Sequence, residues 1–394
     1  PLGAFLSGGI DSSAVVATMA EHSSRPVRTF SIGFDSSDYD ELSQARLVAE
    51  RFGTDHEELT IAPDAIEILP RIVRQYGEPF ADSSAIPSFY LAELARRHVT
   101  VALNGDGGDE SFAGYSRYVA NLALERAARL PAPLRRSLAG MARALPSNGR
   151  IQSTGSRLRR LAAAAALEAP QRHAAYLTQL DRTERLALYT PRLRESVGAA
   201  CAGEEAIERR WRGASGDDPL GRMLYTDVGV FLPDDLLAKI DIATMAHSLE
   251  ARSPLLDHEL MEFAAALPSR LKVRGAQKKI ALRMAMRGTV PDRILDAPKQ
   301  GFVVPMAEWL RGELKELSRD VLLDSTSRER GWFAADSVRA LLDRHASGAE
   351  DRSGAIWTLL VLELWQREIG SAPAARTASP PALELAQERT TIHR

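Results

Sequence analysis

Two short stretches hold residues that could do chemistry. SGGIDSS (Ser7–Ser13) breaks an apolar run with two glycines, one acid and three hydroxyls, just ahead of a helix-like stretch. NGDGGDE (Asn104–Glu110) sets three acids among three glycines, directly after the run VTVAL (Val99–Leu103). Gly8 and Gly9 let backbone N–H groups converge on one concave space, and a helix N-terminus behind them adds partial positive charge. Ser7, Ser12 and Ser13 add hydroxyl donors, which completes a cradle for phosphate. An ordinary strand-to-helix turn uses the same residue types, so this loop alone leaves both readings open. It has neither the Lys of the common GxxxxGK phosphate loop nor the GxGxxG of dinucleotide folds. Three acids without a local basic partner are costly unless a cation arrives. A solvated acidic turn is the plain alternative.

Lysine usage points to further candidates. Only six of the 50 basic residues are Lys, and five of these (Lys239, Lys272, Lys278, Lys279, Lys299) fall between 239 and 299. Where Arg is the default cation, each Lys is a candidate for a specific task. A net charge of −2 argues against a nucleic-acid-binding face. The single cysteine, Cys201, excludes a disulfide framework or a CxxC site and suits a reducing, cytoplasmic compartment. It reads as a small buried hydrophobe. No apolar run reaches the ~20 residues a bilayer needs, so no membrane partner is expected. Ala355–Leu362, cut by Glu363, reads as a buried helix.

The elements that must position these loops come from period. Gly3–Leu6 is a strand stub, Ser12–Glu21 has helical composition, and Val27–Gly33 alternates as a strand. Asp40–Phe52 carries Leu42, Ala45, Val48, Ala49 and Phe52 on one helical stripe closed by Gly53. Glu58–Ile61 reads as a strand, Pro87–His98 as a helix and Val99–Leu103 as a strand. Strand–helix alternation predicts an α/β fold, a parallel sheet flanked by helices, with ligands bound beyond the carboxyl ends of the strands. Both glycine loops follow strands, so they open onto one edge. From residue 116 the composition turns to Ala, Leu and Arg, as in Leu122–Leu145 and Leu158–Ala169, and strands are no longer expected. This gives three regions: 1–115 an α/β core, 116–370 a mainly helical part completing the same unit, and 371–394 a polar, Pro-containing tail expected to be disordered. Asp241, Met245 and Ser248 fall at i, i+4 and i+7, leaving open whether Asp241 faces the cleft. Glu250 and Arg252 follow, and are expected to pair in a cluster with Asp257.

SGGIDSS resembles the pyrophosphate-binding loop, SGGxDS, of the N-type ATP pyrophosphatases, which have an adenine nucleotide alpha hydrolase-like fold. NGDGGDE resembles the SGEGxDE motif of the asparagine synthetase family, with Asn104 for Ser and Asp106 for Glu. Further stretches resemble the same family: Thr29–Gly33, PFADSSAIP (Pro79–Pro87), LPDDLLAKIDIATMAHSLEARSPLLDH (Leu232–His258) and KQGFVVPMAEWL (Lys299–Leu310). The wording is closest to asparagine synthetase-like amidotransferases of exopolysaccharide and exosortase gene clusters. The resemblance implies ATP and pyrophosphate contacts from Leu6, Ser7, Gly8, Gly9, Asp11, Ser12, Ser13, Asn104 and Gly105, and an adenine contact at Ile32. It implies Mg2+ held by Asp11 and Asp109. Asp106 would face the acyl-adenylate and the incoming amine. Lys278–Arg283 resembles the family's KxxLR pattern, which puts the pyrophosphate lysine at Lys279.

The resemblance also implies a reaction. A carboxylate, aspartate or a relative of it, attacks the α-phosphate of ATP to give an acyl-adenylate and pyrophosphate; ammonia then displaces AMP. That is an asparagine synthase (glutamine-hydrolysing)-type carbon–nitrogen ligase. Some relatives carry Arg at the position of Ser83, and this chain does not, so a different carboxylate in cell-surface biosynthesis is the alternative acceptor. A catalytically silent nucleotide-binding module would require disrupted metal acids; Asp11 and Asp109 are both present. A tRNA-thiolating enzyme would require catalytic cysteines and a basic face. Relatives draw ammonia from an N-terminal glutaminase domain opening on a nucleophilic Cys. Residue 1 here is Pro, so that domain is expected to be missing from this chain and amidation to depend on added ammonium. A homodimer is the assembly the resemblance allows.

Overall fold

A computed structural model describes residues 1–34, 42–61, 67–128, 164–165, 167–198, 202–297 and 304–370. The 371–394 tail, Cys201, Lys299–Val303 and most of Leu122–Leu145 and Leu158–Ala169 lie outside these residues. The first hundred residues alternate β1 (Leu2–Phe5), α1 (Ile10–His22), β2 (Arg28–Phe34), α2 (Leu42–Phe52), β3 (Asp55–Ile61), α3 (Leu69–Tyr76), α4 (Ala85–Arg96) and β4 (Val101–Leu103). Two short helices follow, α5 (Gly108–Phe112) and α6 (Ser116–Ala128). With a fifth strand, β5 (Glu250–Arg252), the strands form one all-parallel sheet in the order β3-β2-β1-β4-β5.

Both faces of this sheet are covered, which is why β1 and β2 are almost wholly buried. Successive side chains go to opposite faces. Phe5, Phe30 and Ile32 join one core with Ile86, Phe89, Trp357 and Leu360. Ala4 and Leu6 join the other with Ile10, Val16, Ala45, Val48 and Leu282. The predicted stripe of α2 is the buried one, and Gly53 closes the helix with φ 61°. The Ala355–Leu362 stretch is buried within the helix Ser353–Trp365.

The second half departs from expectation in one respect that matters for the site. Strands do not end at Leu103. Glu250–Arg252 forms β5, paired in register with Val101–Leu103. Three residues with no β-branched member carry no strand signal; the exposed edge of β4 recruits them. Glu250 and Arg252 do pair, at 2.7 Å. Asp257 takes no part in that pair: its carboxylate accepts the N–H groups of Glu259 and Leu260, capping the helix His258–Ala266. Asp241 and Met245 are exposed on the helix Ala238–Met245, and Ser248 lies beyond its end with φ 56°. The three therefore share no helix face.

Candidate active site

The strand order reverses beside β1: the chain moves out to β2 and β3, then returns to place β4 on the other side. A crevice forms at such a switch point, beyond the carboxyl ends of the two central strands. SGGIDSS leaves β1 there and NGDGGDE leaves β4. Gly8 has φ 71°, and a Cβ on it would come 2.5 Å from Gln44 Cβ and 2.6 Å from Ala45 N of α2. Only glycine fits that position. Gly9 is the N-cap of α1, with no side chain capping the helix. The hydroxyls divide: Ser7 is exposed, while Ser12 and Ser13 are buried. Ser12 Oγ braces the loop, accepting from Ser7 N and donating to Gly9 O, both at 3.2 Å. Ser13 Oγ has no hydrogen-bond partner.

The acidic loop is built around its own first residues. Asn104 Nδ2 donates to Asp106 Oδ2 at 2.8 Å, and Asp106 N donates back to Asn104 Oδ1 at 3.2 Å. Asn104 N also donates to Arg252 O, so β5 fixes the start of the loop. Gly105 packs on α1, where a Cβ would meet Asp11 Cβ and Ser12 N at 2.8 Å. A Cβ on Gly108 would stand 2.5 Å from Asp11 Oδ1. These two glycines let the loops touch.

Lys279 joins them. It is the N-cap of the helix Ile280–Met286, in the left-handed region with φ 53°, and its side chain is 3% exposed. Its ammonium bridges Asp11 Oδ2 and Asp109 Oδ1, the latter at 2.5 Å. Asp11 and Asp109 are 98 positions apart in sequence, and Lys279 lies 170 beyond Asp109. Gly114, at the end of α5, has no room for a Cβ: it would overlap Asp109 Oδ1 and Lys279 Cε. Lys278 points elsewhere, donating to Ser116 Oγ at 3.0 Å. Glu110 lies buried behind Asp109. Tyr115 donates to its Oε1 at 2.6 Å, and burial, then the Asp109 charge, push its carboxyl up to about 7. Ile32 sits apart, buried on β2, one strand over from the strand that leads into SGGIDSS.

A second cluster on the same side of the molecule was not predicted. Lys239 Nζ donates to Asp82 Oδ2 and to Ser84 Oγ, each at 2.8 Å. Ser84 N donates to Asp82 Oδ1 at 2.9 Å, and Tyr76 OH to Lys239 O at 2.9 Å. Burial pushes the Asp82 carboxyl up, but Lys239 and the bonds from Lys239 and Ser84 prevail and hold it low. Asp235, from the π-helical stretch Leu232–Leu237, hydrogen-bonds Asp82; burial, then the Asp82 charge, lift it to about 7. Lys239 also feels the charge of Asp106, which ties this cluster to the acidic loop. Both halves lie in stretches quoted above, Pro79–Pro87 and Leu232–His258, but only the scarcity of lysine singled out Lys239. Arg117 stacks 3.8 Å over the Tyr115 ring and 4.6 Å over Phe231 while donating to Asp227 at 2.8 Å.

Among the described residues no group of three or more His, Cys, Asp or Glu side chains is placed to hold a metal. None of the described helices is long and apolar enough to cross a membrane.

A parallel sheet with a glycine-serine loop after its first strand, an acidic glycine loop after its fourth and helices on both faces is the N-type ATP pyrophosphatase fold. A family model described as asparagine synthase matches residues 1–367, and the chain belongs to that family. It is 33% identical over 367 residues to asparagine synthetase [glutamine-hydrolyzing] 1 of Bacillus subtilis, covering 93% of this chain and 56% of that protein. It is 37% identical over 370 residues to a putative asparagine synthetase [glutamine-hydrolyzing] of Mycobacterium bovis, covering 92% and 54%. A more distant relative is the amidase chyE of Penicillium rubens, at 24% over 405 residues. The chain spans about half the length of the curated relatives it matches.

Proposed function

We propose that this chain is the synthetase part of an ATP-dependent amidotransferase, which activates a carboxylate as an acyl-adenylate and passes it to ammonia. The observation that carries the reading is the meeting of Asp11, Asp109 and Lys279 beside the Gly8–Gly9 loop. Breaking ATP between the α and β phosphates builds negative charge on the departing pyrophosphate, and the site must neutralise it. The N-terminus of α1, the hydroxyl of Ser7 and the Lys279 ammonium would meet that charge. Asp106, held by Asn104 and near enough to Lys239 for its charge to be felt there, would face the acyl group and the incoming amine.

The residues present suit a divalent cation. Asp11 Oδ1 is buried with no hydrogen-bond partner, an atom that needs a cation or a donor. Mg2+ is taken by one or two carboxylates together with phosphate oxygens, so Asp11 and Asp109 without a third acid suffice. The ion would offset charge on the phosphates; the protein's part is to hold two carboxylates at one point.

The 82–84 segment favours a second reading of the acceptor. Ser83 stands where some relatives carry Arg, and the nearby cation Lys239 is already neutralised by Asp82. A free α-carboxylate would find little to hold it there. The acceptor is then a carboxylate other than that of free aspartate. The test is incubation with ATP, Mg2+ and ammonium over a panel of carboxylates, with AMP and amide identified by mass spectrometry. AMP and amide from any member support the reading; no AMP from any acceptor under conditions where ATP binds would favour a silent nucleotide-binding module.

A further inference from the structure

Lys279 holds the place where a divalent cation belongs. Its ammonium contacts both Asp11 and Asp109, it is 3% exposed, and the side chains it bridges are 14% and 10% exposed. The backbone at Lys279 is left-handed, a conformation that costs a residue with a Cβ roughly 1–2 kcal/mol. Gly114 is bare where any Cβ would strike both Lys279 and Asp109. The chain thus accepts strain and gives up a side chain to bring this ammonium between two carboxylates. An ammonium and a dication cannot occupy that position together, because like charges a few ångströms apart repel strongly in a buried site.

We propose that Lys279 is an internal counter-ion: without nucleotide it closes the Asp11–Asp109 pair, and it yields the pair to a divalent cation only when phosphate oxygens offer it a new partner. Metal binding is then linked to nucleotide binding, and by reciprocity nucleotide affinity is linked to metal. One ammonium leaves the two carboxylates with a net charge of −1, so the pair is protected when the site is empty yet still favours a dication. This rests on the reading of Asp11 and Asp109 as the cation's carboxylates.

The test uses Mn2+ as probe, followed by electron paramagnetic resonance. Nucleotide-free Lys279→Met should bind Mn2+ at least about tenfold more tightly than wild type, a coupling of ordinary size. Adding Asp109→Asn should remove the gain, and Lys278→Met should not produce it. Lys279→Met no tighter than wild type would overturn the proposal. Should that variant fail to fold, Lys279→Gln replaces it, and the wild type alone remains decisive. A nucleotide-free wild-type site as tight as the one measured with a non-hydrolysable ATP analogue, and lost in Asp109→Asn, also overturns it. Binding of the Mn2+ complex of that analogue should weaken at least about tenfold in Asp109→Asn. If it does not, the carboxylate reading itself falls; if it does while Lys279→Met fails to tighten Mn2+, only the counter-ion role falls.

Discussion

Two lysines stand against aspartates, Lys279 buried and Lys239 half-buried, and they are built differently. Lys279 caps a helix and reaches into a junction of glycine loops, where its ammonium lies between two acids. Lys239 lies in the first turn of the helix Ala238–Met245, where its ammonium donates to both Asp82 and Ser84. Tyr76 ties its own carbonyl to α3. The first lysine faces surplus negative charge from a strained, left-handed backbone position. The second belongs to a satisfied network that fastens the segment before α4 to the helix carrying Lys239. Similar ion-pair chemistry thus gives a replaceable counter-ion in one place and a brace in the other, and the supporting backbone makes the difference.

That distinction breaks most readily at the brace. Lys239→Met strands the Asp82 carboxylate, which is 24% exposed, so the cost should fall between that of a surface pair and the about 3–5 kcal/mol of a fully buried one. Urea unfolding at pH 7.5 should show a loss of that order, with Lys239→Met/Asp82→Asn recovering at least half of it. A loss under about 1 kcal/mol, the size of a surface pair, would mean that Lys239 is no brace.

At the other lysine the larger effect falls on chemistry. A charge-assisted hydrogen bond to the departing pyrophosphate is worth ~1.5–3 kcal/mol. Lys279→Ala should therefore slow ATP–pyrophosphate exchange by about tenfold to a hundredfold. Lys278→Ala should do far less, because that ammonium meets Ser116 on the surface. Equal, small losses would remove the functional contrast between neighbouring lysines. If Asp11 and Asp109 serve one ion, Asp11→Asn and Asp109→Asn should each raise the Mg2+ requirement. Their combination should then be less than additive in a magnesium titration; full additivity would assign them separate roles.

The legible parts of this molecule were those in which neighbours in sequence are neighbours in space. The β1 and β4 loops announce themselves because Gly, Ser and Asp crowd into seven residues after a strand. Lys279 was legible through a short pattern and because lysine is rare here. The Asp82–Lys239 pair spans 157 positions, and neither segment alone calls for the other. β5 was missed because Glu-Ala-Arg becomes a strand only when β4 offers an edge, a tertiary cause with no local trace. Asp257 caps its own helix, which DHE ahead of an apolar helical run signals more strongly than nearness in sequence to Arg252 signals an ion pair. Gly114 carries no motif at all, since its meaning lies in two side chains from elsewhere.

The smallest predicted effect tests how the brace is poised. Burial, then Asp82, raise the Asp235 carboxyl from its ordinary value of 3.8 to about 7. Between those values the folded state holds this proton and the unfolded state has lost it. Stability therefore falls as pH climbs from about 4 to about 7, and the penalty is complete above that. Asp82 runs the other way: Lys239 holds it low, so its contribution is present above the unfolded value and lost as pH falls through the folded one. Asp235→Asn removes only the first titration. The variant should match wild type near pH 4 and exceed it by about 1–2 kcal/mol above pH 8, a figure discounted for partial exposure and for coupling to Asp82. Thermal unfolding across that range decides it. A difference that stays flat with pH would mean that Asp235 is ionised throughout, that Lys239 neutralises both acids, and that the brace is more like the Lys279 junction than its hydrogen bonds suggest.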